Sequence, residues 1–386
     1  MEGQNKLTPR AGLYVHIPFC HSKCLYCDFY SLPLGRTGGV GIIDKLTDAI
    51  IREYELRKAG FLSAGSWHTV YLGGGTPSLL SHEYVARLLK QIGPLTETEE
   101  ITIEVNPEDV TTELIKRYKE AGITRVSMGI QSFNDTELRA VGRRHNAATA
   151  LNAIEVLDNS GLDYSLDLIY GLPHQTLESW KRSLKLMLSF KPKHFSAYSL
   201  TFEEGTPLTK LLEKGKITEA PEGLVENMYE ILCNEASKAG YNHYEISNFA
   251  LPGKEAIHNS SYWDMTPYLG LGPAAHSFDG IQRTINPSDL KLYLDKIGQG
   301  EPATIVDPED GHNIANSVII TSLRTSKGLD LTKVIFEDND DRATFLASID
   351  RHIAEDNLSR LPSGNIRIPE SRWLVSDNIL IDLIMV

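Results

Sequence analysis

The chain has 386 residues, 41% hydrophobic and 23% charged, with 38 Lys and Arg against 51 Asp and Glu and a formal charge of -13. Such a length suggests one large domain plus a smaller one, and the acidic balance argues against a phosphate-backbone partner, which would need clustered Lys and Arg. No apolar run approaches the ~20 residues of a membrane span, and the polar start MEGQNKLTPR lacks the apolar region of a signal peptide, so the expected location is cytoplasmic.

In chain order, short β-rich runs alternate with longer helical patterns. The runs are GLYVHIP (12–18), TVYLGGGT (69–76), ITIEVNP (101–107), RVSMGIQS (125–132), YSLDLIYGLP (164–173) and HFSAYSLT (194–201). Amphipathic stretches at 111–121, 147–160 and 176–189 lie between them. Strand and helix in alternation imply a parallel sheet. Six such units, with Gly, Pro or polar residues at several strand ends, predict an α/β fold of the partial (β/α)6 barrel kind, whose chemistry sits at the C-terminal mouth of the strands. After about residue 205 the rhythm changes. Helical patterns at 206–214 and 222–239 lead to YNHYEISNFALPG (241–253) and to the aromatic-rich HNSSYWDMTPYLGLGPAAHSF (258–278). From about 305 a more charged tail, with the apolar helix IANSVIITSLR (314–324), reads as a small α-rich domain. The expected units are 1–205, 206–304 and 305–386.

Three of the four cysteines, Cys20, Cys24 and Cys27, fall in HIPFCHSKCLYCDFYS (16–31) with C-x3-C-x2-C spacing, and Cys233 lies some two hundred residues away. Crowding of this kind argues for a thiolate metal site over a disulfide framework. Residue types alone leave two sites open. One is a zinc ion held by the three thiolates with His16 or His21. The other is an iron–sulfur cluster, in which three cysteines in place of four leave one iron open to a small molecule. Further along, Gly74, Gly75 and Thr76 end the strand YLGGGTPS (71–78), where absent side chains let a ligand reach the backbone. No G-K-[ST] follows and G-x-G-x-x-G is not met, so neither a P-loop nor a dinucleotide turn is indicated. Alternation places Thr102, Glu104 and Asn106 on one strand face, Ser127 with Gln131, and Ser165 with Asp167. Polar residues from three strands thus converge on one interior.

Together these pieces resemble the radical S-adenosylmethionine (SAM) superfamily, whose hallmark is this cysteine loop holding a [4Fe-4S] cluster with SAM on its open iron. The strand YVHIPFC running into the loop and Tyr26 before the last cysteine fit that setting. Over nearly the whole chain, YSLTFEEGTPL and YEISNFALPG included, the likeness is to the oxygen-independent coproporphyrinogen III oxidase group. The resemblance implies that Cys20, Cys24 and Cys27 hold the cluster and that Tyr14, Gly74, Gly75, Thr76, Glu104, Gln131, Arg143 and Asp167 contact cluster or SAM. The glycine motif would take the amino end of SAM, and Arg143 or Arg144 of VGRRH (141–145) its carboxylate.

That group has two branches: oxidases that decarboxylate porphyrinogen propionates, and HemW-type haem chaperones. Three features resemble the chaperones. Phe29 stands where oxidases carry a further cysteine, the first strand begins at about residue 12 without a long N-terminal arm, and HNSSYW matches H-N-x-x-Y-W at His258, Asn259, Tyr262 and Trp263. On residue types alone, that motif could equally pack a loop against the barrel mouth. The resemblance implies haem as ligand, with His258 as axial imidazole and the aromatics against the porphyrin face. His243, His276 and Cys233 are the other candidate iron ligands. Haem-accepting proteins, respiratory or membrane-surface ones included, would be the partners, and coproporphyrinogen oxidase activity is not expected. The alternative is an enzyme that reduces SAM by one electron to abstract hydrogen from a tetrapyrrole side chain.

Overall fold

The computed structural model describes residues 11–62, 65–306, 311–336 and 338–385. Six strands come first: β1 (Gly12–Ile17), β2 (Thr69–Gly74), β3 (Glu100–Val105), β4 (Arg125–Gln131), β5 (Asp163–Tyr170) and β6 (His194–Ser199). They pair in parallel and in chain order. The two-residue period of a strand sorts their side chains. Leu13, Val15, Ile17, Val70, Leu72, Ile103, Val126, Met128, Leu166 and Phe195 are buried in the apolar cluster shared with the covering helices. On the opposite face, Tyr71 and Gly74 meet Glu104, and Ser127 meets Asp167 and Ser165.

Helices α1 (Val40–Arg57), α2 (His82–Ile92), α3 (Thr112–Ala121), α4 (Asp135–Ala140), α5 (Ala147–Asp158) and α6 (Leu177–Ser189) lie between the strands in sequence. Their starts carry the local chemistry that a helix end needs. Thr111, Asn146 and Thr176 accept from the backbone N–H groups of Leu114, Thr149 and Ser179, satisfying donors that have no partner within the helix.

Helices α7 (Pro207–Glu213) and α8 (Glu222–Lys238) lead to a hairpin, β7 (Asn242–Glu245) and β8 (Asn248–Ala250), which adds to β6 in antiparallel fashion. The chain then crosses to the other edge of the sheet through α9 (Ile257–Trp263). There β9 (Tyr268–Leu271) pairs in parallel with β1, and β10 (His276–Phe278), β11 (Arg283–Ile285) and, after α10 (Leu290–Gln299), β12 (Ile305–Val306) follow it antiparallel. The result is one twelve-stranded sheet, ordered β12-β11-β10-β9-β1-β2-β3-β4-β5-β6-β8-β7. Its end strands do not pair with each other, so the expected partial barrel is found, with extensions on both edges. Buried Glu53 of α1 clamps the β9 side: it accepts from Arg57 (2.7 Å), the Gly272 N–H (2.9 Å), Asn286 (2.8 Å) and the Tyr293 hydroxyl (2.8 Å). Four donors to one carboxylate meet the requirement that a buried charge be paired and hydrogen-bonded.

The C-terminal part holds α11 (Gly311–Leu323), α12 (Asn339–Ala354), a ribbon of β13 (Ser359–Arg360) and β14 (Ile366–Arg367), and α13 (Ser376–Ile381). One continuous buried cluster runs from Ala11 to Leu383. Residues 205 and 305 therefore mark changes of rhythm along the chain without separating its core. No described helix is long and apolar enough to cross a membrane.

Candidate functional site

The cysteine loop leaves the C-terminal end of β1 and is pinned at its base, where Phe19 and Cys20 pair in parallel with Leu32 and Pro33. Cys20, Cys24 and Cys27 are all free thiols, the first buried and the other two half-buried. Burial pushes the Cys20 thiol up from its ordinary value and that of Cys27 up to about 11. Two hydrogen-bond donors face the sulfurs: Thr76 Oγ1 at 3.4 Å from Cys20 Sγ and Arg143 Nη1 at 3.5 Å from Cys24 Sγ. Three thiols on one turn, with a hydroxyl beside one sulfur and a guanidinium beside another, suit a group that takes thiolate ligands and accepts hydrogen bonds at its sulfurs. The donor set therefore fits the [4Fe-4S] cluster that the resemblance implies. His16, the zinc alternative's fourth ligand, is committed elsewhere: Nδ1 meets the Tyr14 hydroxyl at 3.0 Å and Nε2 the Tyr30 carbonyl at 2.9 Å. His21 lies 3.8 Å from Asp109.

The glycine run is explained by close approach. At Gly74 (φ +109°) an added Cβ would lie 2.6 Å from the His16 ring, and at Gly75 it would lie 2.7 Å from the Phe19 carbonyl and 3.1 Å from Cys20 Sγ. A side chain at Gly75 would displace the start of the cysteine loop, and one at Gly74 the His16 ring. The Gly74 N–H is bonded to Glu104 (3.1 Å), and Glu104 also accepts from Tyr71 (2.8 Å). Burial pushes the Glu104 carboxyl up to about 7, opposed by the Tyr71 hydrogen bond. A folded-state value above the ordinary 4.5 means that this group's contribution to stability is complete below pH ~4.5 and is lost as pH rises through 7. Glu104→Gln, which does not titrate, is therefore expected to gain on wild type between pH 5 and pH 8 in urea unfolding without SAM. A stability gap equal at both pH values would show that the carboxyl is not perturbed.

Arg143 Nη2 donates to Asn106 Oδ1 (2.9 Å) and the Gly129 carbonyl (2.6 Å), so one guanidinium ties β3, β4 and the cysteine loop together. Arg144, its sequence alternative, is exposed. Asp167 accepts from Ser127 (3.5 Å), and burial raises its carboxyl, opposed by Ser196, Arg125 and Ser127. Gln131 reaches the same interior by a route that simple alternation does not describe: the register shifts between Gly129 and Gln131, Gln131 takes φ +67°, and its amide lies over Gly129, where a Cβ would meet Nε2 at 2.6 Å. The structure thus sets Gly75, Thr76 and Arg143 beside the thiols, with Glu104 joined to Gly74, Gln131 over Gly129, and Tyr14 and Asp167 among the polar residues of the strands.

Beside the loop, toward β9 and β10, opens a cavity of about 510 Å³ walled by Tyr14, Phe29, Tyr30, Tyr262 and Tyr268, with Lys23 and His276 among its lining residues. Phe29 is 62% exposed there. His258 is not presented to this cavity. It is 1% exposed, with Nδ1 at 2.7 Å from Thr69 Oγ1 and Nε2 at 2.8 Å from the Tyr262 hydroxyl, and its ring stacks under Tyr71 at 4.9 Å. Burial lowers the imidazole to about 3, so it is neutral. Both ring nitrogens are thus bonded at the N-terminal end of β2, so the axial role expected of His258 from HNSSYW would require it to exchange one of these hydroxyl partners for the iron. The start of α9 is tied there too, the N–H groups of Ile257 and His258 donating to Glu100 at 3.0 and 3.1 Å. Of the other motif residues, Tyr262 lines the cavity, and Asn259 and Trp263 are half-buried. His243 stacks on Phe249 at 3.9 Å and meets Trp373 edge-on at 4.4 Å, which leaves no ring-sized face for a porphyrin.

Sequence reasoning missed Tyr71, Asn106 as a partner of Arg143, and the tyrosine wall. Tyr71 was within reach, because it shares the parity of Gly73 on β2 and faces Glu104. The wall as a whole was not, since Tyr14 and Tyr30 lie more than 230 residues before Tyr262 and Tyr268; of these, Tyr262 is already singled out by HNSSYW as a ring for the porphyrin face.

The family model described as the radical SAM superfamily matches residues 14–187. The chain is 36% identical over 293 residues to the haem chaperone HemW of Bacillus subtilis, covering 74% of this chain and 76% of that one. It is 34% identical over 328 residues to HemW of Mycobacterium tuberculosis, 84% of each, and 33% identical over 393 residues to that of Synechocystis, 96% and 93%. Among solved structures, the coproporphyrinogen III oxidase HemN of Escherichia coli, described as a radical SAM enzyme, superposes with a TM-score of 0.81 over 99% of this chain and 92% of its own, at 23% identity. At that identity the likeness shows the fold.

Proposed function

This chain belongs to the HemW group of the radical SAM superfamily, and from that premise we propose that it binds haem and passes it to acceptor proteins, with a [4Fe-4S] cluster on Cys20, Cys24 and Cys27 and exchangeable SAM beside it. The observation that carries the reading is the aromatic cavity of about 510 Å³ to which the cysteine loop contributes Lys23, Asp28 and Phe29. Tyrosine and phenylalanine rings offer a porphyrin the apolar, polarizable faces it packs against. His276, exposed among the lining residues, supplies an imidazole for the iron in place of His258.

A cluster held by the loop supplies one-electron chemistry and an open iron at which SAM binds. The protein's own part is to hold SAM in place. Glu104 and Asp167 offer buried carboxylates to the amino and ribose groups, and Arg143 sets a fixed cation near the carboxylate position. Either Glu104→Ala or Asp167→Ala is expected to weaken SAM binding roughly tenfold or more, the scale of one charge-assisted hydrogen bond, with iron content unchanged. SAM titration of reconstituted protein checks this; unchanged affinity in both variants returns them to plain core polar groups.

The functional test has two arms. Anaerobically reconstituted wild type and His276→Ala are titrated with haem, and the variant is expected to show an altered Soret spectrum. Wild type is also incubated with coproporphyrinogen III, SAM and a reductant. Protoporphyrinogen formed over multiple turnovers would overturn the chaperone reading. An unchanged spectrum in His276→Ala would overturn only the ligand.

A further inference from the structure

Away from the mouth, three donors from distant parts of the chain meet on the outer side of the sheet edge. Cys233 lies on α8, His243 on β7, and Glu370 begins the short helical segment Glu370–Val375. His243 Nδ1 is 2.8 Å from Glu370 Oε1 and 3.9 Å from Cys233 Sγ. Their ligand atoms all lie within 4.8 Å of one another, the one such trio found among the described residues.

The other ring nitrogen decides the chemistry. His243 Nε2 faces the Ile246 carbonyl at 3.3 Å, and a carbonyl only accepts, so Nε2 carries a proton. In a neutral ring Nδ1 is then a bare lone pair aimed at a carboxylate oxygen. Two acceptors at 2.8 Å repel unless something positive lies between them. A second proton on the ring would do this for the carboxylate, and the Cys233 thiol has hydrogen-bonding contact with Tyr229 and Glu370, so all three side chains already converge on one point. A metal ion uses all three donors.

We propose that Cys233, His243 and Glu370 bind one zinc-class divalent cation, with a fourth position open to water. A sulfur, nitrogen and oxygen set suits a borderline-soft ion without geometric preference. Tetrahedral zinc sets such donors about 3.3–3.6 Å apart, between the two separations seen here. A ligand histidine that hands its other N–H to a backbone carbonyl is the arrangement that fixes its tautomer. The ring is already locked between Phe249 and Trp373, and the Tyr229 hydroxyl holds the Glu370 carbonyl at 2.9 Å, so little ordering remains for the ion to impose. The His243 side chain is 4% exposed and that of Glu370 50%, so the site opens to solvent on the carboxylate side. A bound ion would clasp the C-terminal segment to the sheet edge.

The test uses protein with its iron–sulfur cluster assembled, so that the loop thiols are occupied. After equilibration with about 1 µM free Zn²⁺ and gel filtration, wild type is expected to retain one zinc per chain by elemental analysis. Cys233→Ser and His243→Gln should retain less than a tenth of that. Zinc should raise the thermal midpoint of wild type and not of the variants. Glu370→Gln changes an exposed group and should fold normally, and it is expected to weaken retention at least tenfold, so it serves if the buried variants do not fold. Zinc X-ray absorption of wild type should show one sulfur at about 2.3 Å with nitrogen and oxygen completing the shell. Absence of zinc from wild type, equal zinc in wild type and Glu370→Gln, or a shell of three sulfurs would overturn the proposal.

Discussion

Alanine at Cys20, Cys24 or Cys27 is expected to remove at least nine-tenths of the iron, the sulfide and the broad visible absorbance of anaerobically reconstituted protein, whereas Cys233→Ala keeps all three. The asymmetry is geometric. The three loop thiols share one pinned turn at the end of β1, with Thr76 and Arg143 against two of their sulfurs. Cys233 lies on α8 beside His243 and belongs to a different neighbourhood. A cluster that already lacks a fourth protein ligand has none in reserve, so a second loss leaves only two thiolates. Arg143→Ala should act in the same direction and more weakly, because it removes a donor to sulfur and leaves every ligand in place. Iron retained at wild-type level in any of the three alanine variants, or bleaching by Cys233→Ala, would break the three-cysteine assignment.

His258→Ala is expected to cost about 2–4 kcal/mol of folding free energy, the range for a core truncation that also leaves hydroxyls without partners. The ring fills the space under Tyr71, and its removal strands the Thr69 and Tyr262 hydroxyls together. Urea unfolding measures the loss. Haem titration of the surviving folded protein should give the wild-type Soret spectrum, since the imidazole is bonded at both nitrogens. Wild-type stability combined with a changed spectrum would return this histidine to the iron and imply that Tyr262 swings aside. His258→Gln, which can keep one hydroxyl partner, should lie between the two.

The contrast between these residues shows which information was local. Strand alternation needs only neighbours along the chain, and it placed Glu104, Ser127 and Asp167 in the interior because period two leaves no other choice. The cysteine loop is equally local, all its thiols lying within eight residues. His258 differs. Its partner Thr69 is 189 positions away, and a motif of histidine and aromatics reads the same whether it faces a cavity or plugs a barrel from beneath. Gln131 was placed correctly for an incomplete reason, since a shift in register does its positioning. The edge extensions were legible only as a segment, 206–304, expected to complete the barrel, and not as individual strands. Short strands such as His276–Phe278 and Arg283–Ile285 carry too few residues for a periodic signal, and their pairing, the first with β9 and the second with the first, is decided by tertiary context.

The crossing of the chain beneath the sheet, from β8 on one edge through α9 to β9 on the other, also sets a timetable for a protein emerging from the ribosome. The thiols and the groups that surround them, Thr76, Asn106 and Arg143, have all been made by residue 143. The strands that first pair the two flanks, Asn248–Ala250 beside β6 and Tyr268–Leu271 beside β1, end roughly 50 and roughly 70 residues after β6 does. At about 5–20 residues per second the first of these gaps is an interval of roughly 3–10 s, in which the six parallel strands exist with both edges unpaired. Unpaired edges invite association with other chains, so the nascent protein passes through its most aggregation-prone interval with the cysteine loop already in place. Iron delivered in that interval would find its ligands assembled while the β9 wall is still missing. Cells that make this chain faster than its edges can be shielded should accumulate it in inclusion bodies, and slower translation between 200 and 306 would aggravate that loss.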